Sequence, residues 1–490
     1  MRVLIVGCGF VGERAADLLH ASGHEVIGLT HSPDSAARLA LVKPWRVVAC
    51  DISNAEAVRA LHLQPLSQGV EEDVSKDSWS PDAFIHCASS GKGGPPSYQA
   101  VYVDGMSHLL AAFPQAFPLF TSSSSVYPQA DGSDVDEDSP TDPDKETGRL
   151  LLAAEKLALE QGGAVARLAG IYGPGRSFVL KNLLEGKSGI EVNESAPDGR
   201  LLNQIHADDA AAALVHLVTQ KLHGIYNVVD DARMTQRACL EKLAPLFGLP
   251  VPSEKAPDPN RKRGWTHKRV SNAKLRATGW APRYPDYLEA VHHDPDLASS
   301  ILQLVLDSQD ASLPRAENIV LIGLMGSGKS TVGRMVAQML GFQFVDTDHL
   351  IIDQAGCSIP EIFEREGEAG FRLRESSVLR SLLGRRHCVI ATGGGIITQA
   401  RNRPVLQHLG FITWLEADVK LLARRTASNN DRPLLRGEEP PLVKLERLLA
   451  ERKPLYKQLA DLRIQTDELS QQESAYGVAE SARIFFAHRI

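Results

Sequence analysis

The sequence predicts an α/β protein built from two parallel-sheet domains in series. Two observations carry that prediction. A glycine-rich turn twice follows an apolar strand pattern and opens a helix pattern, once at Gly7–Gly12 and once at Gly323–Ser330. The chain is also 490 residues long, more than one hydrophobic core supports.

The first series opens with the strand Arg2–Val6, its glycine turn and the apolar-periodic helix Glu13–Ala21, followed by a second strand, Glu25–Leu29. Strand, helix and strand at that spacing are the unit of a parallel sheet. Ala83–Cys87 and Pro118–Thr121 add strands, and Ser122–Ser125 reads as a strand end. Pro252 to Trp280 is rich in Pro, Lys and Arg, and His292 to Arg315 reads as a helix followed by a polar, Pro-containing connector. A second series begins at Asn318. The expected organisation is therefore a first domain over residues 1–290, a helix and linker over 291–315, and a second domain over 316–490.

Composition excludes several classes. Apolar residues at 43% and charged residues at 23% are ordinary for a globular chain, and a net charge of -7 argues against a nucleic-acid or acidic-membrane binder. No stretch reaches the roughly 18 apolar residues of a membrane span, and Met1 leads directly into a strand, so the cytoplasm is the expected compartment. The six cysteines are scattered without a C-x-x-C pair, which fits reduced thiols.

The most informative run is Gly323-Leu324-Met325-Gly326-Ser327-Gly328-Lys329-Ser330-Thr331. Glycines let consecutive backbone N–H groups close around a polyphosphate, Lys329 places a cation at the β- and γ-phosphates, and Ser330 offers a hydroxyl to Mg²⁺. The helix opening near Lys329 directs its positive end at the same anion. Phe344–Asp348 reads as a short strand ending in carboxylates at i and i+2, Asp346 and Asp348, on one face. One suits Mg²⁺ and the other a substrate hydroxyl. Phe371–Glu375 falls on a helix, and Gly393-Gly394-Gly395 ends the strand Cys388–Ala391, where a ligand could approach the backbone while an arginine grips its carboxylate. Arg424-Arg425 closes a helix, Arg432-Pro433-Leu434-Leu435 has the composition of a mobile lid, and Glu451–Tyr456 ends a basic helix.

Together these pieces resemble shikimate kinase over residues 316–490. The resemblance rests on the phosphate loop, D-T-D, F-R-x-x-E, the triple glycine, R-P-L-L and R-x-P-L-Y. It implies a P-loop α/β domain of the nucleoside-monophosphate-kinase type and ATP-dependent phosphorylation of the shikimate 3-hydroxyl on the route to chorismate and aromatic amino acids. Carried over by position, Asp348, Arg372, Gly394 and Arg452 would bind shikimate, with Asp348 also taking the acceptor proton. Gly326, Ser327, Gly328, Lys329, Ser330 and Thr331 would cradle ATP. Lys329 and the lid residue Arg432 would steady the transferring phosphoryl group, Ser330 and Asp346 would hold Mg²⁺, and Arg425 would lie against the adenine.

In the first domain, Gly7-Cys8-Gly9-Phe10-Val11-Gly12 sits where a dinucleotide fingerprint belongs, so a doubly wound Rossmann sheet binding NAD(P) is expected, with Gly7, Gly9, Phe10, Val11, Gly12 and Thr30 in contact. The second strand ends Gly28-Leu29-Thr30-His31-Ser32 without an acid for a ribose hydroxyl, which favours NADP. Residues 1 to 290 resemble the extended short-chain dehydrogenase/reductase, or NAD-dependent epimerase/dehydratase, family. The matching runs are the fingerprint, Phe120–Tyr127, Arg167–Arg176 and Ile205–Asp209. That family uses a Tyr and a Lys four residues later for proton transfer, with an active-site serine that Ser123 matches. Aligned on Ala154-Glu155-Lys156, the Tyr and Lys places hold Thr147 and Leu151, neither of which can do that work near neutral pH. The resemblance thus implies an atypical dinucleotide-binding domain.

Remaining candidates have plainer readings. Asp208-Asp209 reads as a helix cap, Arg261-Lys262-Arg263 as a solvated loop and His292-His293 as surface. The leading reading is a shikimate kinase fused to an NAD(P)-binding domain, acting on small molecules. The alternatives are an oxidoreductase or epimerase with an accessory kinase, and a dinucleotide sensor adjusting the kinase. Within the kinase class, gluconate and nucleoside monophosphate kinases share the phosphate loop.

Overall fold

The structure, a computed structural model, describes residues 1–61, 79–91, 93–258, 265–308, 314–426 and 439–487. It divides into two compact units. The first comprises Met1–Gly173, Ile190–Cys239 and Glu254–Ala290, and the second Pro174–Gly189, Leu240–Ser253 and Val291–Ile490.

The first unit is built on seven parallel strands: β1 (Arg2–Val6), β2 (Glu25–Thr30), β3 (Arg46–Ala49), β4 (Ala83–His86), β5 (Phe117–Ser123), β6 (Ala164–Leu168) and β7 (Gly224–Val228). Their order is β7-β6-β5-β4-β1-β2-β3. Near-continuous apolar runs form these strands because helices cover both faces; Val3, Leu4 and Ile5 are fully buried. Helix α1 (Gly12–Ala21) buries Gly12, Ala15, Ala16 and Leu19, the i, i+3, i+4, i+7 stripe of an amphipathic helix. The direction of strand addition reverses between β1 and β4, and that switch point opens a crevice beside the Gly7–Gly12 turn. The doubly wound parallel sheet expected from the sequence is present.

In the second unit, β8 (Ile319–Ile322), β9 (Gln343–Asp346), β10 (Cys388–Ala391), β11 (Phe411–Glu416) and β12 (Leu462–Gln465) form a parallel sheet in the order β9-β10-β8-β11-β12. The central strand β8 is wholly buried. Helix α2 (Lys329–Leu340) follows it, then α3 (Thr347–Ala355), α4 (Ile359–Ser381), α5 (Asn402–Leu409), α6 (Val419–Thr426), α7 (Pro441–Leu459) and α8 (Gln471–Ala487). Val332 and Val336 of α2 and Ala475, Val478 and Ala479 of α8 close over Leu321, Val389 and Leu415 to make the core. This is the second α/β domain the sequence predicted.

Two local readings change. The strand expected over Phe344–Asp348 stops at Asp346, because the Asp346 carboxylate accepts the Asp348 N–H at 3.0 Å and caps α3. Asp348 therefore stands in the first turn of a helix. The helix after Ile205 is capped by the His206 ring, which accepts from the Asp208 N–H at 3.2 Å, while Asp208 pairs with Arg14 at 2.8 Å. Helix α4 is broken at Gly367, whose φ of 69° lies in the left-handed region. Among the described residues no helix is long and apolar enough to cross a membrane. The Arg261–Arg263 cluster lies outside the described residues.

Candidate active site

The phosphate loop is fixed by close backbone contact. Gly323 has φ +142°, and a Cβ there would lie 2.4 Å from the Leu415 carbonyl oxygen on the neighbouring strand, so no larger residue fits. Gly328, at φ +92°, turns the chain into α2 and leaves that helix's first N–H groups facing the loop. Lys329 is buried, and its ammonium donates to the Gly323 and Leu324 carbonyls at 2.8 Å each, spanning the loop. Gly326 and Gly328 are half-buried, Ser327 is buried and Thr331 is exposed.

Ser330 and Asp346 meet at the end of β9, where Ser330 Oγ donates to Asp346 Oδ2 at 2.7 Å. A hydroxyl and a carboxylate oxygen at that spacing form a hard-oxygen donor pair of the kind Mg²⁺ prefers. Arg425, exposed on the last turn of α6, donates to the Gly326 carbonyl at 3.2 Å and so reaches over the loop. Arg432 lies outside the described residues.

The acceptor side is organised around Gly393–Gly395, directly after β10. A Cβ on Gly394 would lie 3.2 Å from the Met325 backbone nitrogen and 3.3 Å from the Gly323 carbonyl, so the triple-glycine turn abuts the phosphate loop. Arg452 of α7 donates to the Gly394 carbonyl at 3.0 Å and Tyr456 donates to the same oxygen at 2.6 Å. Arg372 of α4 lies against Gly395, where a Cβ would stand 2.4 Å from Nη1 and 2.5 Å from Nη2. Its two ends donate to Glu375 at 2.8 Å and Glu368 at 2.9 Å. Asp348 faces Gly393, with Oδ1 3.1 Å from the place a Cβ would take. The turn thus gathers Asp348, Arg372, Gly394 and Arg452 from four separate segments.

Sequence reasoning gave Glu375 no role. It is fully buried, its Oε1 stands 2.5 Å from the Gly393 Cβ position, and among the described residues that oxygen has no hydrogen-bond partner. Burial raises its pKa, against the pull of the Arg372 guanidinium, and the neighbouring Asp348 carboxylate adds to the rise. Burial opposes the charge of Arg372 in turn, but Glu375 and Glu368 outweigh it and raise its pKa. The signal available in sequence was the i, i+3 spacing of Arg372 and Glu375 on one helix. Tyr456, buried and held on the Gly394 carbonyl, carried no sequence signal beyond its place in the last motif.

In the first unit, Gly7 and Gly12 pack backbone on backbone. A Cβ on Gly7, at φ +94°, would meet Ala88 Cα at 2.4 Å, and one on Gly12 would meet the Gly7 carbonyl at 2.2 Å. Gly9 has nothing within 4 Å of its Cβ position, which leaves the middle of the turn open to a ligand. Phe10 is half-buried beneath the Arg14 guanidinium, Val11 is buried, and Thr30 Oγ1 donates to the Ser32 carbonyl at 3.2 Å. A bare, open glycine turn at the sheet's switch point fits a dinucleotide pyrophosphate. Thr147 and Leu151, with Ser123, line a cavity of about 710 Å³ at the same sheet edge.

Comparison with known proteins matches two families to separate stretches of the chain. Residues 325–483 match the family model for shikimate kinase, and residues 3–228 match that of the NAD dependent epimerase/dehydratase family. A shikimate kinase of Acinetobacter baumannii (strain AYE) is 49% identical over 151 residues, which are 31% of this chain and 83% of that protein. One from Halorhodospira halophila is 47% identical over 148 residues, 30% of this chain and 83% of that protein. A solved UDP-glucose-4-epimerase from Stenotrophomonas maltophila, with NAD and formylated UDP-arabinopyranose bound, aligns with a TM-score of 0.50 at 19% identity. It covers 63% of this chain and 100% of that one, and it speaks for the fold of the first part alone.

Proposed function

Because this chain belongs, through its C-terminal part, to the shikimate kinase family, we propose that it transfers the γ-phosphoryl group of ATP to the 3-hydroxyl of shikimate, and that residues 316–490 carry the reaction. One observation carries the assignment of roles: the triple-glycine turn that collects two arginines and a carboxylate touches the phosphate loop. An acceptor seated on that turn has its hydroxyl beside the terminal phosphate of a nucleotide seated in the loop.

Phosphoryl transfer is chiefly positioning and electrostatics. The loop residues Gly326–Thr331 enclose the β- and γ-phosphates with backbone N–H groups. Lys329 exchanges its two carbonyl partners for phosphate oxygens when nucleotide enters, so its charge is already placed and little reorganisation is required. Ser330 and Asp346 hold Mg²⁺, which when bound neutralises phosphate charge. Arg425 covers the nucleotide base, and Arg432 supplies a second cation to the transferring group. Arg372 and Arg452 grip the shikimate carboxylate, each with fixed N–H donors that match a carboxylate's geometry. Gly394 lets the ring lie on the backbone, and Asp348 accepts hydrogen bonds from ring hydroxyls and receives the proton as the new O–P bond forms.

The first unit holds a dinucleotide of the NAD(P) type on Gly7, Gly9, Phe10, Val11, Gly12 and Thr30. The strand β2 runs out in Thr30-His31-Ser32 with no acid for a free ribose hydroxyl, which suits a phosphorylated ribose and favours NADP. The chain acts in the cytoplasm on small molecules. Purified full-length protein should release ADP only when shikimate, Mg²⁺ and ATP are all present. Asp348→Asn should lower kcat and Arg452→Ala should raise KM for shikimate. Turnover left intact by both variants would remove the proposed roles.

A further inference from the structure

The match to shikimate kinase covers residues 325–483, yet the second unit also contains chain from well before it: Pro174–Gly189, Leu240–Ser253 and everything from Val291 onward. The helix Leu297–Leu306 is the centre of this addition. Asp294, itself buried, fixes its start by accepting the Asp296 N–H at 2.7 Å and the Leu297 N–H at 3.0 Å. Leu297, Ala298, Ile301, Leu302 and Val305 are fully buried, and the helix packs on α5. A segment that merely joined two domains would be polar and exposed instead.

The start of this helix reaches both walls of the acceptor site. One wall is α4, which carries Arg372 and Glu375. Around its break at Gly367, residues 364–369 are all exposed, whereas Val378, Leu379 and Leu382 are fully buried, so the C-terminal end of α4 is the firm one. There Arg380, about 12 Å along the helix from Arg372, donates from Nη1 to the Pro295 carbonyl at 3.3 Å. The turn that follows lies on Pro245–Gly248: a Cβ on Gly384 would stand 2.7 Å from the Pro245 carbonyl oxygen, and Arg386 donates to the Gly248 carbonyl. The other wall is the triple-glycine turn. Thr398 Oγ1 donates to the Gly395 carbonyl at 2.7 Å, and Asn402 and Arg403 of α5 donate to the Ile396 and Ile397 carbonyls at 3.0 Å each. Arg401, at the head of α5, pairs with Asp296 at 3.2 Å. Two adjacent residues, Pro295 and Asp296, therefore hold the two elements that meet where Arg372 lies against Gly395. The phosphate loop is held by other contacts, Gly323 against Leu415 and Gly326 against Thr426.

We propose that Pro295, Asp296, Arg380 and Arg401 are positioning residues for the acceptor: the helix that precedes the kinase motifs braces both walls of the shikimate site, and shikimate binds at full affinity only while that brace is in place. The inference rests on the shikimate reading of the site. The test uses the full-length protein and the variants Asp296→Arg, Arg401→Asp, their combination, and Arg380→Ala. Each single variant should raise KM for shikimate about 2- to 5-fold, the range an ion pair or one hydrogen bond of this exposure supports, with kcat and KM for ATP unchanged. The combined Asp296→Arg, Arg401→Asp variant restores opposite charges and should return KM for shikimate to that of the parent. Amide hydrogen exchange without substrates gives a readout independent of turnover. Exchange should quicken over residues 393–397 in Asp296→Arg and over 371–376 in Arg380→Ala, and stay as in the parent over the phosphate loop 323–331. An unchanged KM for shikimate in the folded single variants, an equal rise in KM for ATP, failure of the charge swap to restore the parent value, or unchanged exchange at both walls would each overturn the proposal. Absence of shikimate turnover in the parent would overturn the acceptor reading beneath it, and the exchange pattern would still decide whether the brace exists.

Discussion

Replacing Gly395 by alanine isolates the acceptor-carboxylate site from the rest of the kinase. The Gly395 backbone is at φ -102°, ψ -2°, a conformation that alanine adopts without strain, so the effect comes from space alone. The new methyl would stand 2.4 Å from Arg372 Nη1, 2.5 Å from Nη2 and 2.6 Å from Cζ, well inside contact distance. The guanidinium must shift to admit the methyl, which disturbs its bonds to Glu375 and Glu368 and moves it from the place proposed for the substrate carboxylate. Loss of one charge-assisted hydrogen-bonded contact costs about 1.5–3 kcal/mol, which corresponds to a rise in KM of roughly 10- to 150-fold. Initial-rate kinetics of ADP release with shikimate varied at saturating ATP, and with ATP varied at saturating shikimate, measure this directly. The expected result is a raised KM for shikimate with KM for ATP unchanged and a circular dichroism spectrum like that of the parent. An unchanged KM for shikimate in a folded variant would refute the placement of Arg372 on the carboxylate.

Further outcomes follow from other parts of the molecule. Lys329→Ala should lower kcat by about 10²- to 10³-fold, because the preplaced charge at the transferring phosphoryl group is lost, and steady-state assays should show it with both substrates saturating. Glu155→Ala leaves Arg167 buried and uncompensated, and removes the acceptor of a 2.5 Å bond from Ser122; it should destabilise the first unit by about 3–5 kcal/mol in urea unfolding, with kinase rates at 25 °C little changed. His86 and His408 are buried and neutral, with pKa values lowered by burial from 6.5 to about 4. Each protonates more readily in the unfolded chain, so stability is full above 6.5 and falls as pH drops toward about 4. Between pH 7 and pH 5 the loss should be about 2 kcal/mol per histidine, and His408→Gln should remove the share belonging to the second unit.

Local features of the architecture were legible in the sequence, and long-range ones were not. The glycine turns at Gly7–Gly12 and Gly323–Ser330 could be read because their function needs several special residues in consecutive places. The strands before them could be read because a strand buried on both faces is a plain apolar run. The meeting of Arg372, Gly394 and Arg452 could not be derived from periodicity, since they come from α4, the turn after β10 and α7; only the resemblance of the ordered motifs brought them together. Boundaries failed where a side chain competed with the backbone. Asp346 ended its strand by capping α3, and the His206 ring took the capping role expected of the following aspartates. The significance of Glu375 depended on its burial and on what faces Gly393, neither of which a linear pattern records.

The central claim is that the second unit phosphorylates the 3-hydroxyl of shikimate. The most direct test is to incubate the full-length protein with ATP, Mg²⁺ and either shikimate or gluconate, to follow ADP release, and to locate the new phosphate by ³¹P–¹H correlation NMR. The account predicts rapid ADP release with shikimate, none above background with gluconate, and a phosphate coupled to the ring proton at carbon 3. Turnover with gluconate in preference to shikimate, or a phosphate on another hydroxyl, would contradict it.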